Sequence, residues 1–231
     1  MNTSRIQALF DSVRDFYNTR ADSFAITRNK FWRDGEYIAQ LLPQQGSILD
    51  VGCGNGRLTT FISPEVVYTG VDNAENIIKI AQKQYGSATR QFAVSSMTEL
   101  PFSDNSFDCV VACASLHHVP GYTLQFQALQ EMRRVIKAEG LLVITVWNLR
   151  HPHYRTLYNF TDEDFEKNGG DMEVPYKADG TLSHRFVHAF TEEELETLLV
   201  DAGFSTFSIQ GIHEGVVGEI STGSNFLILA Q

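Results

Sequence analysis

The chain has 231 residues, 43% hydrophobic and 20% charged, a composition that excludes a disordered or fibrous protein and suits an αβα sandwich. Its formal net charge of -10 excludes a grip on a polyanion through a generally basic surface, so a nucleic-acid substrate would need a basic rim or a basic partner. No apolar run reaches the roughly 18 residues of a membrane span, the first residues lack the apolar core of a secretory signal, and Cys53, Cys109 and Cys113 fit no Cys-x-x-Cys pattern. These features lead us to expect a cytoplasmic protein with reduced thiols and no membrane partner.

In chain order, Ile6, Leu9, Phe10, Val13, Phe16 and Tyr17 recur at helical spacing and predict a helix over 6–19. A second helix is expected from about 29 to 42, where Pro43 stops it. The pattern then alternates. Short apolar runs at 47–51, 66–71, 91–94, 107–113 and 141–147 predict strands, with helical segments near 58–62, 76–85 and 124–137 between them. Such alternation predicts a mostly parallel sheet with helices on both faces.

Segment 148–189 is rich in His, Tyr, Phe and Asp without a clean period. A stretch of that length reads either as a functional lid or as an irregular surface excursion. Beyond it, Thr191-Glu192-Glu193-Glu194 is a capping box, Phe190 and Leu195 form a staple, and Gly203 stops the helix. Runs at 205–209 and 225–229 complete seven strands. With no repeat or linker in the chain, one domain is expected over 1–231, with N-terminal helices at 1–45 and a substrate-side insert at about 148–190.

The strongest chemical signal is the strand that ends in Asp50 and runs into Gly52-Cys53-Gly54-Asn55-Gly56. Alternate glycines let the backbone turn sharply and let a ligand approach without Cβ interference. The turn is tighter than a dinucleotide-binding one and follows a carboxylate, which suits a ligand with a cationic amino group and no phosphate. Twenty residues beyond Gly52, Asp72 ends the next strand, where a carboxylate can accept both ribose hydroxyls of an adenosine or merely cap the helix after Ala74.

Asp50 to Gly56, Asp72, Leu100-Pro101-Phe102 and Ser106-Phe107-Asp108 stand in the order found in class I S-adenosylmethionine-dependent methyltransferases, which this region resembles. The resemblance implies a Rossmann-like fold with a seven-stranded sheet and S-adenosyl-L-methionine as cofactor. It also implies that Gly52 and Gly54 line the methionine part, Asp72 takes the ribose, Met97 lies against the adenine and Ser96 makes a weak contact to its amino group.

Other stretches narrow the family: Thr27-Arg28 followed by Trp32, His117-His118 after the fourth strand, Val146-Trp147 at the fifth, and His184-Arg185-Phe186 before the last helix. Together they are similar to the tRNA methyltransferases that esterify a 5-carboxymethyl group on wobble uridine. That similarity implies tRNA as partner and, as for many relatives, a small zinc-ribbon activator protein. The chemistry fits, because a carboxylate nucleophile is already ionised at neutral pH and needs positioning rather than a general base. Arg28 and Arg185 are the candidate carboxylate holders and His117 the candidate group facing the cofactor, while Trp147 is either a base-stacking platform or core.

Arg28 also has a plainer reading as a helix-start surface charge, His117 as a ring that only orients a loop, and His118 as an exposed side chain. His184 and His188 have i, i+4 spacing, yet no paired Glu or Cys nearby supports a metal, so none is expected. A methyltransferase for a small metabolite such as a quinone precursor, and a non-catalytic cofactor-binding partner of another enzyme, are the competing readings.

Overall fold

A computed structural model describes residues 3–28, 32–178 and 180–231. Helices α1 (Thr3–Thr19), α2 (Ala21–Thr27) and α3 (Arg33–Leu41) precede the first strand. Then come β1 (Gly46–Val51), β2 (Val66–Asp72), α4 (Glu75–Tyr85), β3 (Arg90–Val94), β4 (Phe107–Cys113), α5 (Tyr122–Val135) and β5 (Ile136–Trp147). The segment after β5 carries α6 (Pro152–Tyr158), α7 (Asp162–Asn168), β6 (Asp171–Ala178) and β7 (Thr181–His188). The chain ends with α8 (Glu192–Asp201), β8 (Phe207–His213), β9 (Val216–Gly218) and β10 (Asn225–Ala230).

The main sheet has the order β3-β2-β1-β4-β5-β10-β8-β9. The first five pair in parallel, and β10 runs antiparallel to both β5 and β8. This is the expected Rossmann-like α/β fold, with eight strands instead of seven. The extra one is β9, three residues paired antiparallel to β8 and too short to leave a periodic signal.

Alternation along the strands sends neighbouring residues to opposite faces. Leu49 and Val51 of β1 pack with Leu129 and Met132 of α5 and Leu195 and Leu198 of α8, whereas Ile48 faces Ile38 and Leu42 on the other side with Tyr68 of β2. The predicted capping box holds: Thr191 accepts from the Glu194 N–H and the Glu194 side chain answers the Thr191 N–H.

Three expectations need correction or completion. The helix expected from about 29 starts at Arg33, because Trp32 has extended backbone; positions 29–31 lie outside the described residues. Helix α2 escaped notice because it is only seven residues long. The segment after β5 is ordered into α6, α7 and the β6–β7 hairpin around a small core of Leu149, Phe165, Met172, Val174 and Val187. Two signals for it stand in the sequence, a capping box at Thr161 and Asp164 and a glycine, Gly180, which has φ +71° between β6 and β7.

Candidate active site

A cleft of about 400 Å³ opens at the carboxyl ends of β1, β2, β4 and β5, roofed by α1 and α2. That is where ligands bind in open α/β sheets. The glycine turn forms its floor: the Gly52 and Cys53 N–H groups both donate to the Val71 carbonyl, tying the turn to the end of β2. Gly52 has φ +76°, and a Cβ there would stand 2.3 Å from the Ser115 side chain. Gly54 has φ +54°, and its N–H donates to Asp72 Oδ2 at 3.0 Å. Asp72 Oδ1 accepts from the Ala74 N–H at 3.0 Å, so backbone donors on both oxygens hold this carboxylate where it lines the cleft. Burial pushes Asp72 upward, against the backbone N–H groups that favour its charge. Each carboxylate oxygen keeps a further lone pair for a hydroxyl donor.

Gly52, Gly54, Asp72 and Met97 therefore share one wall. Asp50 stands behind it: its Oδ2 accepts from the Tyr68 hydroxyl at 2.6 Å, while Oδ1 has no partner. Burial, opposed by that hydroxyl and aided by Asp72, raises Asp50 to about 7. Ser96 also lies outside the wall, its hydroxyl bonded to Thr98 within its own turn, and Ser95 lines the cleft instead. Leu100-Pro101-Phe102 and Asp108 belong to the frame. Arg134 of α5 holds the Leu100 and Phe102 carbonyls, and Asp108 accepts from Ser47 and from Lys137, which hold it down at about 2.

On the acceptor side His118 lines the cleft, whereas His117, the histidine expected to face the cofactor, does not. His117 is completely buried, stacked on Trp147 at 5.0 Å, and its Nδ1 accepts the Trp147 N–H. That bond leaves the proton on Nε2, which has no partner, and burial holds His117 well below its ordinary range. His118 reaches the cleft. Its Nδ1 lies 2.8 Å from the Phe186 carbonyl, which can only accept, so Nε2 is the atom that accepts from the Tyr17 hydroxyl at 2.8 Å. Burial lowers His118 to about 3, with Arg185 as the next cause.

Arg185 is 5% exposed and stands behind the wall, donating from Nη1 to the Tyr17 hydroxyl. Phe16, Tyr17, Trp147 and Tyr176 surround its guanidinium at 5.0–5.9 Å, and its Nε lacks a partner. Arg28 lines the cleft itself, stacked on Phe24 at 4.8 Å and lowered by burial. Trp147 does not offer an open stacking face, because His117 covers one side and Tyr154 stacks at 5.2 Å. Sequence reasoning missed Tyr17, which it placed only in an apolar helical stripe, and Arg57, which lines the cleft next to the glycine turn.

Among the described residues no group of three or more His, Cys, Asp or Glu is placed to hold a metal ion. No described helix is long and apolar enough to cross a membrane.

A glycine cradle that a Cβ would fill, a strand-end carboxylate beside it and a thioether in the same wall fit an adenosyl sulfonium cofactor. Residues 49–144 match the methyltransferase domain family. A protein of Encephalitozoon cuniculi that carries a methyltransferase designation is 30% identical over 196 residues, covering 83% of this chain and 86% of its own. The chain belongs to the class I S-adenosylmethionine-dependent methyltransferases, and S-adenosylmethionine is its cofactor.

Two further relatives span most of both chains. The tRNA (carboxymethyluridine(34)-5-O)-methyltransferase of Schizosaccharomyces pombe is 27% identical over 213 residues, 84% of this chain and 88% of its own. The demethylmenaquinone methyltransferase of Staphylococcus aureus is 26% identical over 222 residues, 93% and 91%. Among solved structures, a Methanosarcina mazei methyltransferase matches with a TM-score of 0.65 at 28% identity, covering 84% of this chain and 95% of its own. A Haloferax volcanii chain solved with the Trm112 methyltransferase activator shares the fold, with a TM-score of 0.66 at 15% identity over 94% and 96%.

Proposed function

We propose that this methyltransferase esterifies the carboxylate of 5-carboxymethyluridine at the tRNA wobble position. The observation that carries the reading is the cationic acceptor side of an otherwise acidic protein. Arg28 and Arg185 converge there, and neither has a carboxylate partner among the described residues. A buried or half-buried guanidinium without a counter-ion is costly, and an anionic acceptor would offset that cost. Arg28 would hold the carboxylate directly. Arg185 would act as a positioning residue through the Tyr17 hydroxyl, and His117 would brace Trp147 from behind instead of touching the cofactor. Gly52, Gly54, Asp72 and Met97 would hold the cofactor with its methyl toward Arg28, with Asp50 and Ser96 supporting the turns that carry them.

The small activator is part of this proposal. β3 is an edge strand whose Val94 is 52% exposed, a feature that a protein partner can cover. The competing reading, a small apolar acceptor such as a quinone precursor, is favoured by the aromatic lining of Phe10, Phe24, Trp147 and Tyr154 and by the demethylmenaquinone relative.

The test uses tRNA bearing 5-carboxymethyluridine and labelled cofactor. Arg28→Lys keeps the charge and loses the bidentate fork, so kcat/KM should fall about ten- to a hundredfold with cofactor affinity almost unaltered. Arg185→Lys should behave in the same way. Turnover of a small apolar acceptor without turnover of that tRNA would decide for the metabolite enzyme.

A further inference from the structure

The formal charge of -10 is not spread evenly along the chain. Residues 159–203 hold twelve acidic side chains against three Lys and Arg, so that stretch alone accounts for -9 of it. The stretch just before, from Asn148 to Tyr158, has no acidic residue and carries Arg150, His151, His153, Tyr154, Arg155 and Tyr158. Cations interleaved with aromatic rings suit a single-stranded nucleic acid.

The fold puts that stretch on the rim of the cleft. The sheet register runs from Trp147 of β5 through Asn225 of β10 to Ile212 of β8, so His213 comes out at the same edge. Trp147, Tyr154 and Asn225 line the cleft. The His213 ring lies 5.9 Å from that of His151 and 6.4 Å from that of His153. Beside them Tyr154 stacks between Trp147 at 5.2 Å and Tyr158 at 6.0 Å, an aromatic column leading outward from the acceptor side.

The three imidazoles are not equivalent. His151 is committed: its Nδ1 accepts the His153 N–H at 3.2 Å, and its ring also bonds to the Thr222 backbone. His153 and His213 are exposed. His213 spends Nδ1 on the Ser224 hydroxyl at 2.8 Å, and the His153 ring has no hydrogen-bond partner among the described residues. Nearby carboxylates are engaged elsewhere. Glu214 faces Arg33 at 4.0 Å, Asp34 accepts from the Gly215 N–H and the Asn225 side chain, and Asp162 pairs with Arg155. Both histidine–carboxylate pairs among the described residues belong to His188.

We propose that His153 and His213 bind a backbone phosphate of single-stranded RNA beside the nucleotide held in the cleft. An imidazole donates an N–H in either protonation state, and a phosphate oxygen accepts it with charge assistance. The acidic stretch 159–203 follows directly, so the polyanion is admitted on one side of the cleft and repelled on the other.

This rests on the tRNA reading, and two experiments keep the two failures apart. In the first, fluorescence anisotropy of a labelled five-nucleotide single-stranded RNA reads binding to the full chain without turnover. The double variant His153→Gln/His213→Gln should weaken that binding about 5- to 20-fold. It should also lower the slope of log affinity against log salt by about 0.7, the value of one phosphate contact on a single strand. Arginine at both positions should restore the affinity. In the second, the ratio of kcat/KM on tRNA bearing 5-carboxymethyluridine to that on the free nucleoside should fall about 5- to 20-fold in the same variant. A wild type that binds the RNA in this way but methylates neither acceptor would refute the tRNA reading and leave the phosphate site standing. Unchanged RNA affinity or salt slope in the double variant would overturn the site. So would a loss falling equally on tRNA and nucleoside, the mark of a structural role, or binding of inorganic phosphate without binding of the RNA, the mark of a small phosphorylated ligand.

Discussion

Two carboxylates, Asp50 and Asp72, illustrate how burial sorts similar groups into different tasks. Asp72 opens on the cleft with both oxygens held by backbone N–H groups, so its position is fixed before a ligand arrives. Asp72→Ala should weaken S-adenosylhomocysteine by about 1.5–3 kcal/mol, the scale of hydrogen bonds to a charged group. Calorimetry showing unchanged affinity would remove it from the site.

Asp50 is sealed, with one hydroxyl donor, and its pKa rises from the ordinary 3.8 to about 7. The folded state therefore binds more protons than the unfolded chain between those values, so Asp50 takes stability away as pH rises from about 4 to 7. Tyr68→Phe removes the one donor to the ionised form among the described residues. The resulting loss should be about 1–3 kcal/mol above pH 7 and smaller at pH 5.5, as read by denaturant unfolding. A loss independent of pH would show that Asp50 stays neutral throughout.

At the scale of elements, the segment after β5 is more than a surface excursion. The β6–β7 hairpin packs against α1 and the turn carrying His117 and His118, and its last residue ties it to α8. His188 Nδ1 lies 2.8 Å from Asp171 of β6, and Nε2 lies 3.7 Å from Glu194 of α8. Burial opposes a charged imidazole, yet the two carboxylates together outweigh it and raise His188 to about 9. Because the shift is upward, its stabilisation is complete below about 6.5 and is lost as pH rises through 9. His188→Gln should cost on the order of 2 kcal/mol at pH 6, after discounting for the partly exposed Glu194, and much less at pH 10. Thermal unfolding at the two pH values reads the difference, and an equal loss at both would refute the clamp.

For the whole molecule, a net charge of -10 sets the terms of any encounter with tRNA. The cationic groups of the cleft are few and local, so a second source of positive charge or of surface is needed for a polyanion. Expression in the native cell should yield the chain together with a small protein, and the pair should turn over tRNA faster than the chain alone. A fully active, monodisperse single chain would exclude that requirement.

The amino-acid sequence by itself determined the alternation of strands and helices, the glycine turn, Asp72 and the cap at Thr191. Each is written in residues that are near neighbours along the chain: strand period, turn chemistry and capping act over two to five positions. The packing of distant segments decided the rest. Whether His117 or His118 faces the cleft depends on the pitch of a three-residue turn between β4 and α5, which leaves no period to read. Ser95 and Ser96 differ in the same way. Tyr17 meets His118 and Arg185 across 101 and 168 residues, and Asp34 bonds to Gly215 and Asn225 across 181 and 191. Contacts of that separation leave no local trace, since each partner alone reads as an ordinary aromatic, histidine or surface cation. Only the fold brings their charges and hydrogen-bonding groups into one place.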